Sequence, residues 1–498
     1  MSLLSVIRDV SYFQTNLVKP HKGLILTTKI LEERGYFWWN DTLLPDNHFA
    51  PPEAITGTLS IDDSGRIRLK LDNYFDNEHG PMAVIVAGGQ ELPSDRTIQG
   101  RLIDSNKCVL LLNLRRRGGR FSSNGVSFDG FAADYCLISR LAKPFDVKPI
   151  LFDTIEVDMD GFEGWLRIGN IETKRTRSSV VAKHRLPKPC LYELDDCALS
   201  VRYDILAPYP SSHVHRSHEL RLVESAFIRV KYKRKRSLEE MVAEYRLVQD
   251  LFILLTGSNY SLARPRLKAK RSVFDVYFFG QRRSAEALEW RDCWTNFIQL
   301  REIFGRVFDA WRKKHSEFGP GFYLYLGTRR GMQLYVEHRF VNLIWGLESL
   351  HRRKEGDVAP ASKLEEKIQR ILGQVANKRD RSWLEGRLKN ASEPSLQERL
   401  FEMFRALPLD FSDVNLQNFC AACAKARNDI SHFGGQRHAG QYQDFVKDIA
   451  MKTEAVAYMY HALLLKEIGV DTEETRQWLL DGPKSHEVLH AFRETGLA

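Results

Sequence analysis

The first half of the chain alternates apolar and polar residues at the two-residue period of β-strands. Residues 55–61 and 66–71 alternate on either side of the polar turn at residues 62–65, which is a hairpin signal. Further strand candidates lie at residues 82–87, 97–103, 108–113, 135–138 and 152–157. This pattern over residues 24–232 predicts an antiparallel β-sandwich-like domain or a curled antiparallel sheet.

From Ser237 onward the apolar residues recur at helical spacing. Ser237 and Glu240 have the spacing of a capping box, which marks a helix N-terminus. Further helices are predicted at residues 286–314, 336–353, 363–376, 396–407, 414–433 and 442–468, with two short helices after them. The expected fold is therefore α+β and multidomain, with a β-rich part at residues 1–233, a helical connecting region with a basic segment at 234–320, and an all-α bundle at 321–498.

Composition adds size, charge and compartment to this picture. A chain of 498 residues with 43% hydrophobic residues can bury two or three cores. The net charge of +9 suits an anionic partner. Seven scattered cysteines do not form a disulfide framework, and neither a basic leader before an apolar run nor a span of about 20 apolar residues is seen. We expect a soluble cytoplasmic protein that does not enter a membrane.

The helix predicted at residues 414–433 carries the most informative polar side chains. Its apolar residues, at helical spacing, are Cys423, Ala426, Ile430 and Phe433. At about 100° per residue, Asn428 and His432 lie roughly 40° apart, with Arg427 at the edge of the same stripe. Gly434 and Gly435 are expected to end the helix just after His432.

Arginine and histidine beside each other on one helix suit chemistry at a phosphate. An imidazole that titrates near neutrality can move protons, and a guanidinium can neutralise phosphate oxygens. Both residue types are also common on helix surfaces, so the spacing alone does not establish catalysis.

The segment from Arg427 to His432 resembles the Arg-x4-His signature of the HEPN superfamily, in its Arg-Asn-x3-His form. Residues 337–353, including Arg339-Phe340 and the run 347–352, resemble the first helix of the Apea-type HEPN domain of bacterial abortive-infection proteins. Residues 56–166 resemble the N-terminal domain of ApeA proteins less specifically. The resemblance implies a C-terminal HEPN helical bundle and an anti-phage role.

The HEPN resemblance also implies a mechanism without a cofactor or metal. In such ribonucleases the ribose 2′-hydroxyl attacks the adjacent phosphorus and leaves a 2′,3′-cyclic phosphate. His432 would be the general acid or base, Arg427 would hold the phosphate, and Asn428 would position the phosphate or the imidazole. HEPN proteins commonly pair two motifs across a two-fold interface, so a homodimer or higher assembly is expected. The implied substrate is host RNA, with transfer RNA the leading candidate, and a phage-derived trigger would act on the β-rich part.

Two basic clusters are candidates for contacts with RNA phosphates. They precede and follow the first predicted helix, and consist of Arg234, Lys235 and Arg236, and of Arg264, Arg266, Lys268, Lys270 and Arg271. Phosphate contacts position RNA without reading its bases, so a structured RNA recognised by shape is expected.

Two other groups offer weaker sites. His213, His215 and His218 have no matching cysteine or carboxylate pair for a metal. Cys420 and Cys423 have Cys-x2-Cys spacing but lie in an apolar stripe, which favours small core residues.

Three alternatives remain open from the sequence. The first is a non-catalytic HEPN module that binds RNA or another ligand. The second is the toxin of a nucleotidyltransferase pair, whose relatives carry a tyrosine where Gly434 stands here. The third is a carbohydrate-binding β-domain joined to an oligomerising bundle.

Overall fold

The structure, a computed structural model, describes most of the chain and divides it into two compact units. The described residues are 28–46, 48–75, 96–120, 122, 125–139, 149–207, 221–258, 261–280, 288–330, 334–355, 362–388, 393–433 and 442–498. The first unit comprises Met1–Val147 with Tyr277–Arg282, and we call it the barrel unit. The second comprises Lys148–Val276 with Arg283–Ala498, and we call it the mixed unit.

The barrel unit is an antiparallel sheet that closes on itself. Its described strands are β1 (Lys29–Trp39), β2 (Ile55–Asp62), β3 (Ile67–Leu71), β4 (Ile98–Leu102), β5 (Cys108–Arg120) and β6 (Phe128–Ser139). They pair in the order β3-β2-β1-β4-β5, and β6 pairs with both β5 and β3. The antiparallel β-rich prediction is confirmed, and the strands form a closed barrel instead of two facing sheets.

The predicted hairpin at residues 55–71 is confirmed as β2 and β3. Asp62 Oδ1 accepts hydrogen bonds from the backbone N–H groups of Ser64 and Arg66, both at 3.0 Å. Gly65 has a φ of 78°, which a residue without a Cβ adopts at low cost. The strand predicted at residues 82–87 lies outside the described residues.

Large apolar side chains fill the inside of the barrel. Phe37, Leu59, Ile98 and Leu111 are fully buried there. Gly100 faces the Phe37 ring so closely that a Cβ would lie 2.4 Å from ring atom Cδ1. A side chain at position 100 would therefore displace the phenylalanine at the centre of this core.

The mixed unit begins with a second group of antiparallel strands. They are β7 (Phe152–Val157), β10 (Cys190–Glu193), β11 (Cys197–Leu206), β12 (Val223–Arg236), β13 (Arg266–Ala269) and β14 (Ser272–Phe278), paired in the order β10-β11-β12-β7-β13-β14; the last two residues of β14 are counted with the barrel unit. A separate hairpin joins β8 (Ile171–Arg175) to β9 (Val180–His184). Ile228, Val230 and Tyr232 of β12 are buried, while Lys231 and Lys233 alternate with them on the exposed face.

Two helices cover the buried face of this sheet. They are α1 (Phe162–Leu166) and α2 (Leu238–Thr256), and α2 begins with the predicted Ser237–Glu240 capping box. The Trp165 ring of α1 lies 5.2 Å from that of Phe252 on α2, and its Nε1 donates to Thr295 Oγ1 at 3.0 Å. Because Trp165 is fully buried, this donor needs such an acceptor inside the unit.

The remaining described helices form the all-α part. They are α3 (Phe297–Leu300), α4 (Phe304–Phe318), α5 (Pro320–Arg329), α6 (Val336–Glu355), α7 (Ser362–Gly373), α8 (Lys378–Leu388), α9 (Leu396–Arg405), α10 (Asp413–Phe433), α11 (Tyr442–Glu467), α12 (Thr472–Leu480) and α13 (Ser485–Glu494). The predicted helices from residue 336 onward are confirmed within a few residues, except that α8 was not predicted. No helix in the described ranges has the length and apolar character needed to span a bilayer.

The single helix predicted at residues 286–314 is wrong in its extent. A short 3-10 turn (Trp290–Asp292), α3 and α4 occupy its described part. The break falls at Thr295 and Asn296. Thr295 N donates to the Leu255 carbonyl at 3.2 Å, and Asn296 Oδ1 caps α3 through Gln299 N at 3.1 Å. Hydrogen bonds to the end of α2 therefore interrupt the continuous helix that the apolar spacing predicts.

A buried histidine of α11 contacts a tyrosine of α5. His461 Nδ1 and the Tyr325 hydroxyl are 2.6 Å apart, and Arg329 Nε donates to that hydroxyl at 3.1 Å. Burial, together with the positive charges of Arg329 and Lys484, holds the pKa of His461 well below its ordinary value. The imidazole is therefore neutral in the folded protein at physiological pH.

We expect acid to destabilise the fold through His461. The unfolded residue takes up a proton near pH 6.5, whereas the folded pKa is lower, so the contribution is complete above pH 6.5 and is lost as the pH falls. For one proton, the free energy of unfolding falls by at most about 1.4 kcal/mol for each pH unit. The free energy of unfolding is measured in urea between about pH 7.5 and about pH 5.5 for the wild type and for His461→Gln. It should change less with pH in the variant than in the wild type. Equal slopes would contradict this assignment.

Candidate active site

Helix α10 presents the predicted motif on its polar side. Its buried residues include Leu416, Cys420 and Cys423, which anchor the opposite face. Asn428 and His432 are exposed, whereas Arg427 is half-buried. The two glycines predicted to end the helix, Gly434 and Gly435, lie outside the described residues.

Arg427 is held in place by two polar neighbours. Its Nη2 donates to Glu348 Oε2 on α6 at 3.2 Å, and its Nη1 donates to Asn428 Oδ1 at 3.0 Å. Its Nε is buried and has no hydrogen-bond partner within the described residues. Because a guanidinium has five N–H donors, these two bonds orient Arg427 and leave other donors for a ligand.

Glu348 is itself fixed by a second arginine on its own helix. Glu348 Oε1 accepts from Arg352 Nη2 at 3.2 Å, and Arg352 also pairs with Glu393. Glu393 accepts from Arg399 Nη2 of α9 at 2.9 Å. This chain of alternating charges connects α6, α9 and α10, so the position of Arg427 depends on contacts between three helices.

The same network ends at a buried histidine. His351 Nδ1 accepts from Arg399 Nη1 at 3.1 Å, so its Nε2 carries the proton that is donated to Glu402 Oε2 at 3.0 Å. His351 and Arg399 are both buried, with 3% and 5% exposure. His351 therefore acts as a structural link between α6 and α9.

His432 differs from His351 in its surroundings. It is exposed and one helical turn beyond Asn428. Within the ranges that the structure describes, no hydrogen bond or ion pair holds its imidazole. The structure thus brings Arg427 and Asn428 into contact and places His432 beside them as an accessible imidazole.

Two family models match the chain. The model described as Apea-like HEPN matches residues 341–474, a range that contains Glu348, Arg427 and His432. The model described as ApeA N-terminal domain 1 matches residues 32–311, which is more than half of the chain. The chain belongs to the ApeA family. No curated protein and no solved structure matches it.

Membership of the ApeA family confirms the resemblance seen in the sequence. The chain is an anti-phage HEPN protein with an N-terminal β-rich ApeA domain. HEPN domains of this kind are generally ribonucleases. The ApeA N-terminal match extends past residue 233 into α4, and the predicted boundaries at 233 and 320 stay a prediction.

The two arginines in the first predicted basic cluster of this ApeA protein differ in their exposure and in their partners. Arg234 and Lys235 are exposed, and Arg234 pairs with Glu240 at 2.8 Å. Arg236 is largely buried and contacts Asp196 at 3.0 Å and Glu244 at 2.5 Å. It is thereby committed to connecting β12 with α2.

The second predicted cluster is divided between a strand and its flanking loops. Arg266 and Lys268 lie on β13, where Lys268 Nζ contacts Glu156 Oε1 at 2.7 Å. Arg264 is exposed before the strand, and Lys270 and Arg271 are exposed in the turn after it. Of this cluster, only Arg266 and Lys268 therefore lie within a strand.

The two cysteines of α10 behave as core residues. Burial raises the pKa of the Cys420 thiol to about 12 and that of Cys423 well above its ordinary value. Both thiols therefore stay protonated at neutral pH, which disfavours metal binding. The three histidines at positions 213, 215 and 218 lie outside the described residues.

Sequence reasoning missed Glu348 as part of the site. A usable signal existed, because Glu348 and Arg352 are four residues apart on the helix that carries the Apea-type resemblance. What the sequence lacks is the pairing of α6 with α10, which directs Glu348 at Arg427.

Proposed function

We propose that this ApeA-family chain is an endoribonuclease that cleaves host RNA without a metal ion during anti-phage defence. The observation that carries the proposal is the oriented Arg427, held by Glu348 and Asn428, with the exposed His432 one turn beyond Asn428. In phosphodiester cleavage by an internal hydroxyl, a fixed cation can stabilise the charge on the phosphate oxygens and an accessible imidazole can carry one of the two protons that move.

In the proposed reaction the ribose 2′-hydroxyl attacks the adjacent phosphorus. The bond from phosphorus to the 5′-oxygen breaks, which leaves a 2′,3′-cyclic phosphate on one product and a 5′-hydroxyl on the other. His432 transfers a proton to or from these oxygens, and Arg427 stabilises the negative charge on the non-bridging oxygens. Asn428 holds Arg427 through the 3.0 Å contact between its Oδ1 and Arg427 Nη1.

One histidine serves as either acid or base at a given moment, so a second proton carrier is needed. We propose that a second copy of the chain supplies it, with two α10 helices facing one another in a homodimer or higher assembly. Transfer RNA is the proposed substrate, and residues 1–233 are proposed to respond to a phage-derived trigger.

The ends of the RNA products test this proposal. Protein purified from phage-infected cells and incubated with total transfer RNA and a chelator should yield fragments that carry a 2′,3′-cyclic phosphate and a 5′-hydroxyl. End-specific enzymatic labelling distinguishes these from 3′-hydroxyl and 5′-phosphate ends, which metal-dependent nucleases commonly leave. Loss of cleavage on adding the chelator would exclude the mechanism, and binding of RNA without cleavage by the triggered protein would favour a non-catalytic module.

A further inference from the structure

A basic surface lies on the sheet of the mixed unit, away from the motif helix along the chain. Its centre is Glu156 of β7, a buried carboxylate with 4% exposure. Glu156 lies opposite Arg229 of β12 on one side and opposite Arg266 of β13 on the other. Because directly opposed residues of paired strands point to the same face, we call this surface the Glu156 face.

Three cations converge on the single carboxylate of Glu156. Arg229 Nη2 lies 2.5 Å and Lys268 Nζ 2.7 Å from Oε1, and Arg266 Nε lies 3.8 Å from Oε2. Although burial opposes ionisation, Lys268 and Arg229 hold the pKa of Glu156 below its ordinary value. The carboxylate is therefore charged. Arg266 Nη2 also lies 3.9 Å from Asp158 Oδ2, so three cations are shared between two carboxylates.

Arg202 of β11 adds a further cation to the Glu156 face. It lies opposite Phe227, and its Nε donates to the Ser200 hydroxyl at 3.2 Å. Burial and the neighbouring charge of Arg229 both lower the pKa of Arg202. Two guanidinium groups are thus held near one another, an arrangement that an incoming anion would stabilise.

The cations continue along β12 and outnumber the carboxylates of the described face. Lys231 and Lys233 follow Arg229 at every second residue, about 6.6–6.8 Å apart along the strand. The cations are Arg202, Arg229, Lys231, Lys233, Arg266 and Lys268, and the carboxylates are Glu156, Asp158, Glu193, Asp204 and Asp275. The excess is arranged as a row and not as a single point.

An aromatic ring lies within the same surface. The guanidinium carbons of Arg229 and Arg266 lie 5.6 and 5.1 Å from the centre of the Phe227 ring. The half-buried ring keeps both arginines in place by cation–π contacts. Partly exposed cations beside an aromatic ring are typical of surfaces that follow a single-stranded nucleic acid.

We propose that the Glu156 face binds the phosphodiester backbone of an RNA segment outside the cleavage site. A row of cations on successive strand positions fits a polyanion better than an isolated ion, because several phosphates can be contacted in sequence. The inference rests on the proposed function in that RNA is taken as the substrate. It adds a second contact, which holds one segment of the RNA on the ApeA N-terminal region while another segment of the same RNA is cut.

RNA binding by the full-length His432→Ala protein tests this inference without cleavage. The test pair is Arg202→Gln with Lys231→Gln, and the matched control pair removes two lysines of the β8–β9 hairpin, Lys174→Gln with Lys183→Gln. Fluorescence anisotropy with a labelled single-stranded RNA is measured over a series of salt concentrations. The binding constant falls with salt, and each lost phosphate contact makes the slope of log K against log salt less negative by about 0.7. The slope of the test pair should therefore be less negative by about 1.4.

The control pair should retain the slope of the parent protein. An unchanged slope in the test pair, or an equal decrease in both pairs, would overturn the inference. Lys231→Gln alone, at an exposed position, provides the same readout should the double substitution impair folding. If the test pair shows the smaller salt dependence but the wild type cuts no RNA, only the proposed function is rejected. If the wild type cuts RNA but the test pair keeps the salt dependence of the parent protein, only the proposed role of the Glu156 face is rejected.

Discussion

Replacing His432 by alanine is expected to lower the rate of RNA cleavage by about 10²- to 10⁴-fold, the usual contribution of a general acid or base. The imidazole is exposed and makes no hydrogen bond or ion pair within the described residues, so its removal leaves the packing of α10 intact. Single-turnover cleavage of transfer RNA, together with thermal unfolding, measures the two effects separately.

A second exposed histidine provides the control. His486 lies near the start of α13 and is also exposed. His486→Ala should cleave RNA at the wild-type rate, since it removes the same side chain from a position outside the motif. Cleavage by His432→Ala at the wild-type rate would remove this residue from the mechanism.

Local periodicity was sufficient for the helices that carry the site. The apolar residues of α6 and α10 recur at helical spacing, because each of these helices buries one side. The polar stripe with Arg427, Asn428 and His432 follows from the same period. A property that depends on one helix alone can be read from one stretch of sequence.

Features that depend on pairing between distant segments could not be read in this way. Closure of the barrel requires β6 to pair with β3, and alternation along each strand is the same in a barrel and in a sandwich. The long helix predicted from residue 286 failed for the same reason, since its break depends on Leu255. Helical spacing also continues across a break that tertiary hydrogen bonds impose.

Charged residues show this limit most clearly. The sequence identified both basic clusters but not the carboxylates that some of their members contact. Arg236 is committed to Asp196 and Glu244, whereas Arg266 and Lys268 share Glu156 with Arg229. Whether a basic run forms a surface or part of the interior is decided by strands and helices elsewhere in the chain.

Arg427→Lys is expected to lower the cleavage rate nearly as much as Arg427→Ala, by about 10²- to 10³-fold. Lysine keeps the charge but lacks the planar fork, so it cannot contact Glu348 and Asn428 and still present further N–H groups to a phosphate. The loss should appear in the single-turnover rate at saturating RNA, because the interaction strengthens as charge develops on the phosphate oxygens.

Glu348→Gln separates positioning from catalysis in this arrangement. Its side-chain oxygen can still accept from Arg427, but the charge that attracts the guanidinium is gone, so the rate should fall by less than in Arg427→Ala. Adding Glu348→Gln to Arg427→Ala should then cause little further loss, since Glu348 acts through Arg427. If the two losses instead multiply, Glu348 contributes to cleavage independently and the ion pair with Arg427 is not its route.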